Sequence, residues 1–448
     1  MAPEDPEQSN AATVLSLVVG IAMIAFAIWV VGFSGLFSSE PVLKVNQEPH
    51  DLVKAVAADD PLEAPPKSAP AAGPGGVAPG LDGDLIAAEI VAKLNKASAV
   101  PNEALLSFRS KAAMADFLKA AKNFGLEVVG TVDDLNAVRV RFASAEKLRD
   151  YLAAAGQDRP LLEANQWMTV PRLAKPAAQA DANNQGGSVP SGLEFLQDIN
   201  AVGDRSGWGK GVTVAVLDTG VQANPTFGAG QVTHVDLVND GTPFHPHGTS
   251  VASLIAGQDD RIPGVSPDAS ILDVRVANDK GFSVTSVLSQ GIVQATDMGA
   301  QVINISMGGY DDSQVLRDAV AYAQQHHVIV VAAAGNDGLN QLAYPAAIDG
   351  VLGIGAVDAT NRQAYFSNSG TGLSFVTPGV GLPVAWATDK MAVASGTSQA
   401  AAVASGIVVY ELGLGLSYQQ ALLQLQANAR PTGAPASQVG RGLMQVRR

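Results

Sequence analysis

Cysteine is absent from this chain of 448 residues. Its absence excludes a thiol nucleophile, a cysteine-ligated zinc site and a disulfide scaffold. Basic residues are also few, because 28 Lys and Arg stand against 42 Asp and Glu, a formal net charge of −14. Nucleic-acid binding requires a basic patch for the phosphates, so we expect no nucleic-acid partner. With 47% hydrophobic and 16% charged residues, the chain is neither wholly disordered nor a coiled coil, and its length allows roughly two to four domains.

Residues 11–37 contain no charged side chain and follow a short tail, residues 1–10. A membrane-spanning helix needs about 20 apolar residues, so this run predicts one transmembrane helix. A cleaved signal peptide would have a basic start and a shorter apolar core. Here the tail carries Glu4, Asp5 and Glu7 and no Lys or Arg, which favours an uncleaved anchor and leaves a cleaved signal as the alternative.

Three regions of different composition follow the apolar run. Residues 38–83 are rich in proline and glycine and predict an extended linker. Residues 84–172 show the order β-α-β-β-α-β, with residues 161–170 as the last strand, which predicts a ferredoxin-like α+β domain. Residues 173–192 are polar and predict a second linker that is open to proteolysis.

Residues 193–448 contain strand-like runs that are apolar throughout, for example VTVAVL, VINISM and VIVVAAA, with helical stretches between several of them. Continuous apolar strands are typical of sheets that are buried on both faces. Their alternation with helices predicts an α/β domain, a parallel sheet with helices on both faces. Ligands of such sheets bind at the carboxyl ends of the strands, so functional residues are expected there.

Four polar residues occupy such strand ends or helix starts: Asp218, His247, Asn336 and Ser398. A serine is a weak nucleophile unless an imidazole takes its proton, and that imidazole needs a carboxylate to orient it. A serine at a helix N-terminus also has free backbone N–H groups beside it, and the amide of Asn336 can be a second donor to an oxyanion. These residue types predict acyl transfer by a Ser-His-Asp triad. His245, His247 and Asp218 would also suit zinc, an interpretation that we do not favour because HGT at a helix start is accounted for without a metal.

Seven short motifs occur in the order found in the subtilases, the subtilisin-like serine proteases: DTG, HGT, SMGG, AAGN, YPAA, GAVD and GTSQA. The resemblance implies a subtilisin-like fold and a serine endopeptidase that cleaves polypeptide substrates through an acyl-enzyme. It also implies that the walls of the primary specificity pocket are Ser306, Met307, Gly308, Gly309, Ala333, Ala334 and Gly335. An α/β-hydrolase esterase is excluded, because Ser398 does not stand in a G-x-S-x-G motif.

Residues 84–172 resemble the subtilase propeptide, which in the family assists folding and covers the active site. The resemblance implies that the chain's own propeptide is a partner and that the precursor cuts itself between about Val170 and Gly192. The positive-inside rule, applied to Lys44 and Lys54, favours a cytoplasmic C-terminal side. We expect the opposite orientation, a single-pass protein whose catalytic domain is extracytoplasmic and whose mature form is released, because a protease active in the cytosol would be harmful.

The sequence departs from the subtilase pattern beside the nucleophile, where Gln399 replaces the usual Met and Ala402 the usual Pro. These two departures support the alternative of a catalytically weak or inactive scaffold that acts as a binding protein. The family implies no cofactor. Calcium binding stays open, because no calcium loop of the family type is recognisable and the paired carboxylates at 259–260 and 311–312 are more typical of solvated surface.

Overall fold

The computed structural model describes residues 81–171 and 188–447. The tail, the predicted transmembrane helix at 11–37 and nearly all of the linker at 38–83 lie outside the described residues, as does most of the linker at 173–192. Within the described ranges no helix is both long and apolar enough to cross a bilayer.

The first described region is a small α+β domain. Its helices and strands are α1 (Leu81–Leu94), β1 (Glu103–Ser107), α2 (Lys111–Ala120), β2 (Leu126–Val132), β3 (Ala137–Phe142), α3 (Ala145–Ala154) and β4 (Leu161–Glu163). The four strands form an antiparallel sheet in the order β2-β3-β1-β4. Ser110 begins α2 because its hydroxyl accepts a hydrogen bond from the Ala113 N–H.

Alternation along β1 gives the small sheet two buried faces. Leu106 packs with α2 and α3 in the domain's own core, beside Phe117 and Leu148. Leu105 points the other way and belongs to a core that the small domain shares with the large one. The outer face of the small sheet therefore packs against the large domain around Leu105, Val132 and Ala137.

Predicted residues 161–170 do not form one strand. After β4, the chain leaves the small sheet at Asn165 and Gln166, and residues Trp167–Thr169 form a separate strand, β5, that pairs with the large domain. The side chain of Asn165 donates to Glu103 Oε2 at 2.9 Å, which turns the chain away from the small sheet. The prediction of a single last strand was wrong because a polar pair divides the two apolar stretches.

The large domain contains the remaining elements. They are α4 (Phe195–Asp198), β6 (Thr213–Asp218), β7 (Val232–Asp236), α5 (His247–Ala256), β8 (Ser270–Arg275), β9 (Phe282–Val284), α6 (Thr285–Asp297), β10 (Val302–Ile305), α7 (Gln314–Gln325), β11 (Ile329–Ala333), β12 (Leu352–Val357), β13 (Leu373–Pro378), β14 (Leu382–Trp386), β15 (Lys390–Ala394), α8 (Thr397–Gly413), α9 (Tyr418–Asn428) and α10 (Ala436–Val439).

Seven strands form one parallel sheet in the order β13-β12-β11-β10-β6-β8-β7. Helices α5 and α8 pack on one face, and α6 and α7 pack on the other. The prediction of a large parallel sheet between helices is confirmed. Helix α8 is buried from Thr397 to Val409. A helix that is surrounded on all sides has no face in contact with water, which explains why α8 lacks a polar stripe.

A buried arginine orders the loop that precedes α5. The side chain of Arg275 is 1% exposed and pairs with Asp236 Oδ2 and Asp240 Oδ1, each at 3.0 Å. Its guanidinium also lies 5.0 Å from the ring centre of Phe244. The Arg275 guanidinium therefore holds the loop between β7 and α5 in place, and this loop leads directly to His247.

We expect Arg275→Leu to lower the free energy of unfolding by about 3 kcal/mol, because it leaves two carboxylates without their buried partner. Urea unfolding in a Ser398→Ala background, which prevents self-digestion, measures the change. Arg261→Leu is the control, since that arginine is 72% exposed and solvent screens its pair with Asp259. Equal losses in the two variants would contradict the assignment.

Candidate active site

The parallel sheet brings the predicted catalytic residues to one edge. Asp218 is the last residue of β6, and Asn336 follows β11 by three residues. His247 is the first residue of α5, and Ser398 is the second residue of α8. Because all strands of the sheet are parallel, their carboxyl ends meet at this edge.

Asp218 and His247 form a buried pair. His247 Nδ1 lies 2.8 Å from Asp218 Oδ1 and 2.9 Å from Asp218 Oδ2. The His247 side chain is 2% exposed and the Asp218 side chain is 0% exposed. The Thr219 N–H also donates to Asp218 Oδ1 at 2.7 Å. These contacts assign the proton to Nδ1 and leave Nε2 as the basic nitrogen of the imidazole. Nε2 is buried and has no hydrogen-bond partner among the described residues.

A close backbone approach makes this pairing possible. A Cβ atom at position 248 would lie 2.5 Å from the Gly220 carbonyl oxygen, so only glycine fits directly after His247. The Gly248 N–H in turn donates to Thr219 Oγ1 at 3.1 Å. The DTG and HGT motifs therefore contact each other through their glycines, which sets the distance between carboxylate and imidazole.

Ser398 lies beside Ser306, the first of the predicted pocket residues. Its Oγ donates to the Ser306 carbonyl oxygen at 3.2 Å, while Ser306 Oγ donates to the Ser398 carbonyl oxygen at 3.3 Å. The Asp218–His247 half of the predicted triad is thus hydrogen-bonded. The second half is not, because the Ser398 hydroxyl bonds to the backbone and His247 Nε2 has no partner.

Asn336 is fixed at the N-terminus of α8. Its Oδ1 accepts from the Thr397 N–H and from Thr397 Oγ1, both at 2.8 Å. Its Nδ2 lies near Gly396, and a Cβ atom added to Gly396 would be 3.0 Å from this nitrogen. The Ser398 N–H lies 3.7 Å from the same point. Both predicted oxyanion donors are therefore next to Gly396, where a side chain would obstruct them.

Gln399, the departure from the family pattern, lies between α8 and α5. It is 1% exposed, and its Nε2 is 3.4 Å from Ser250 Oγ. Its Oε1 is buried without a hydrogen-bond partner among the described residues. A Cβ at position 396 would lie 2.7 Å from this Oε1, so the atom stands beside the same glycine as the two predicted oxyanion donors.

The predicted pocket walls are strand ends. Ser306, Met307, Gly308 and Gly309 follow β10; Ala333 ends β11, and Ala334 and Gly335 follow it. All seven are buried or half-buried.

The chain's own residues 167–170 occupy the groove beside these walls. Thr169 exchanges both backbone hydrogen bonds with Gly308, each at 3.0 Å. On its other side β5 pairs antiparallel with β9, and the Val170 N–H donates to the Gly281 carbonyl oxygen at 2.9 Å. Residues 281–284, β5 and residues 308–309 therefore make a three-stranded arrangement with β5 in the middle. The resemblance to the propeptide implied a domain that covers the active site, and it did not identify β5 as the segment in the groove.

A second histidine–carboxylate pair, His234 and Asp273, was not predicted. Asp273 is 0% exposed on β8, with its Oδ2 2.6 Å from His234 Nδ1 and 2.8 Å from the Val221 N–H. Val221 belongs to the turn after Asp218, so the pair supports the catalytic loop from beneath. No sequence signal joins the two residues, since they are brought together only by the pairing of β7 with β8.

The hydrogen bond with Asp273 raises the pKa of His234, and burial raises the pKa of Asp273. Asp236 and Arg275 are the other charged groups that act on His234. The folded protein therefore binds the proton of His234 more tightly than a free histidine does, because the ring is hydrogen-bonded to Asp273.

Three of the four carboxylates considered for calcium contact a cationic side chain. Asp259 pairs with Arg261, Asp312 pairs with Arg317, and Asp311 contacts Lys96 and Ser98. Within residues 81–171 and 188–447 no group of three or more His, Asp or Glu side chains is arranged to hold a metal ion.

Comparison with known proteins gives one consistent result. The sequence profile described as Peptidase_S8, the Subtilase family, matches residues 209–418. Subtilisin Savinase of Lederbergia lenta is 37% identical over 219 residues, 48% of this chain and 80% of that protein. M-protease of Shouchella clausii (strain KSM-K16) is 35% identical over 243 residues, 53% of this chain, and the chain spans only 63% of its length.

A solved structure extends the likeness of the fold. Fervidolysin of Fervidobacterium pennivorans, a keratinolytic enzyme related to subtilisin, superposes with a TM-score of 0.64 at 23% identity. The match covers 78% of this chain and 60% of that chain. At this identity the match concerns the fold alone.

The His234–Asp273 pair predicts a pH-dependent contribution to stability. Because the folded pKa of His234 is raised, its contribution is complete below the unfolded value of about 6.5 and is lost as the pH rises through the folded value. In a Ser398→Ala background, we expect His234→Gln to cost more stability at about pH 6 than at about pH 9. Urea midpoints at the two pH values measure this difference.

His326→Gln is the matched control, because that exposed ring bonds to the carbonyl oxygen of Tyr322 rather than to a carboxylate. A loss for His234→Gln that is the same at both pH values would show that the pair contributes packing and no charge.

Proposed function

Because this chain belongs to the subtilase family, we propose that it is a serine endopeptidase in which Ser398, His247 and Asp218 form the catalytic triad. The observation that carries the proposal is the buried Asp218–His247 pair, with two contacts below 3 Å and a basic Nε2 that is left for a proton. Ser398 lies at the head of α8, beside a groove that accepts an extended chain.

In the proposed reaction, Ser398 Oγ attacks the carbonyl carbon of a peptide while its proton passes to His247 Nε2. The tetrahedral oxyanion accepts hydrogen bonds from the Ser398 N–H and the Asn336 amide. As the C–N bond breaks, His247 gives the proton to the leaving amine, and an ester between Ser398 and the acyl fragment remains. A water molecule then repeats the sequence and releases the acid, while Asp218 stabilises the imidazolium formed in each half.

The substrate class proposed is an extended polypeptide, bound by strand addition. Support comes from β5, which uses backbone hydrogen bonds to Gly308 on one side and to residues 281–284 on the other. Such binding depends mainly on backbone hydrogen bonds, so it suits unfolded segments and loops of many sequences.

The proposal includes a propeptide role for residues 84–172. In its favour, β5 fills the groove and Glu163 accepts hydrogen bonds from Ser313 Oγ and the Gln314 N–H, both at 2.9 Å, at the start of α7. An inhibitory domain held in this way requires removal, and the polar segment that follows is the proposed site of self-cleavage.

A binding protein on an inactive scaffold is the second candidate. Two observations favour it: Gln399 places a buried acceptor without a described partner beside the predicted oxyanion donors, and the Ser398 hydroxyl bonds to Ser306 instead of His247. A fluorophosphonate reagent distinguishes the candidates, because it labels a serine only when a base activates it.

We expect the parent protein to be labelled and to cleave casein, and Ser398→Ala to lose both properties. Asn336→Ala should lower kcat by about 10²- to 10³-fold with little change in KM, because an oxyanion donor acts in the transition state. Steady-state kinetics on a peptide substrate measures this. Asn340→Ala, an exposed asparagine outside the site, is the control. Casein cleavage by Ser398→Ala at the parental rate would refute the assignment of the nucleophile.

We also propose that residues 11–37 anchor the precursor in the membrane with its C-terminal side outside the cytoplasm. The uncharged run supports the anchor, and the chemistry of a broad protease supports the orientation. Loss of the propeptide would then release the mature enzyme from the membrane.

Alkaline phosphatase fused after Lys54 should be active in a bacterial host, because that enzyme folds only outside the reducing cytoplasm. A fusion after residue 10, which lacks the apolar run, should be inactive and serves as the control. An inactive fusion at Lys54 would mean that Lys44 and Lys54 stay inside, as the positive-inside rule has it.

A further inference from the structure

Two buried carboxylates lie on the same face of the parallel sheet. Asp273 on β8 is in register with Val216 on β6, and Val216 is two residues before Asp218. Partners in register and residues two apart along a strand point to the same face, so Asp273 and Asp218 share one face. The spacing of strands and of residues along them puts their Cα atoms about 8 Å apart. Helix α5, which carries His247, packs on this face beside Val216.

The charge of Asp273 is compensated by His234. Its Oδ2 lies 2.6 Å from His234 Nδ1 and accepts the Val221 N–H at 2.8 Å, whereas its Oδ1 is buried with no hydrogen-bond partner among the described residues. The His234 side chain is 38% exposed and can exchange a proton with solvent, while Asp273 is completely buried. The pair has no net charge when His234 is protonated, and it leaves one buried negative charge when His234 loses its proton.

Other charged groups surround this pair. Arg275 and Asp236 both act on His234, and they pair with each other at 3.0 Å. Asp218 acts on Asp273 as a like charge, so a negative charge on either carboxylate is felt at the other. Helix α5 begins with the catalytic histidine and contributes no other titratable side chain. The charged or titratable side chains around the pair and the catalytic imidazole are Asp218 on β6, Asp236 on β7, Arg275 on β8 and His245 in the loop before α5.

We propose that Asp273 and His234 are positioning residues for the catalytic pair, which hold the turn after Asp218 and keep the net charge beneath it at zero. The proposal rests on the serine protease function proposed above. Asp273 acts through the Val221 N–H, and His234 cancels the charge that this carboxylate would add to that of Asp218. A second, uncompensated anion on this face would stabilise the imidazolium of His247, so the imidazole would become free to act as a base only at higher pH.

The test measures the rate at which a fluorophosphonate labels the full-length chain as a function of pH. The rate follows the unprotonated fraction of the base, so the midpoint of its acid limb reports the charge around the imidazole. We expect His234→Gln, which leaves the anion of Asp273 without its cation, to raise this midpoint by roughly 1 pH unit. That is the effect of one charge about 10 Å away at an effective dielectric constant of about 20.

Asp273→Asn should move the midpoint in the opposite direction, because it removes the anion and keeps an oxygen that can accept the Val221 N–H. The double variant of His234→Gln and Asp273→Asn again has no net charge, so its midpoint should return close to the parental value. His326→Gln is the matched control for loss of a histidine, since that exposed ring bonds to the carbonyl oxygen of Tyr322.

A purely structural role would lower the rate on the plateau and leave every midpoint at the parental pH, and this result would overturn the proposal. Shifts of the same sign in the two single variants would also overturn it. Urea unfolding of each variant in a Ser398→Ala background checks that it is folded at the pH of the assay. If Asp273→Asn does not fold, the midpoint of His234→Gln against its control still decides the outcome. Absence of labelling in the parent would instead refute the proposed protease function, so the two failures are distinguishable.

Discussion

The carboxylate of Asp218 is the constraint on which the rest of the site depends. A charge that is completely buried costs several kcal/mol unless it is paired and hydrogen-bonded. Asp218 meets that requirement with His247 Nδ1 and the Thr219 N–H. Since α5 must bring His247 within 2.8 Å of a strand end, the two backbones have to approach closely, which explains the glycines at 220 and 248.

The same edge of the sheet contains a second buried carboxylate. Asp273 lies opposite Val216 in the neighbouring strand, two residues before Asp218 along β6. It takes its compensation from His234 and from the Val221 N–H. The turn after Asp218 is thus held by one carboxylate at its start and by another beneath it, so the orientation of His247 is set by electrostatics as well as by packing.

Much of this could be predicted from the sequence because the signals are local. Continuous apolar runs identified the buried parallel strands, and short motifs placed Asp218 at a strand end and His247 and Ser398 at helix starts. The features that were missed depend on contacts between distant segments. The His234–Asp273 pair exists only after β7 and β8 align. The departure of β5 from the small sheet follows from the hydrogen bond between Asn165 and Glu103, which no periodicity encodes.

The orientation of the Ser398 hydroxyl also depends on a contact between distant segments, because the hydroxyl donates to the Ser306 carbonyl oxygen. A motif specifies that a serine stands at the head of a helix; it does not specify which acceptor its proton meets. In this chain the acceptor is the carbonyl oxygen of Ser306, 92 positions earlier in the sequence.

Several independent contacts fix the register of β5 against Gly308. Met168 is 1% exposed, and a Cβ on Gly309 would lie 3.1 Å from its sulfur, so its side chain is enclosed. A slip of one residue would move every side chain of β5 to the opposite face and expose Met168. Glu163 is fixed independently by its hydrogen bonds at the start of α7. With Glu163 hydrogen-bonded and Met168 enclosed, β5 stays in the groove beside Gly308 for as long as the two domains remain packed together.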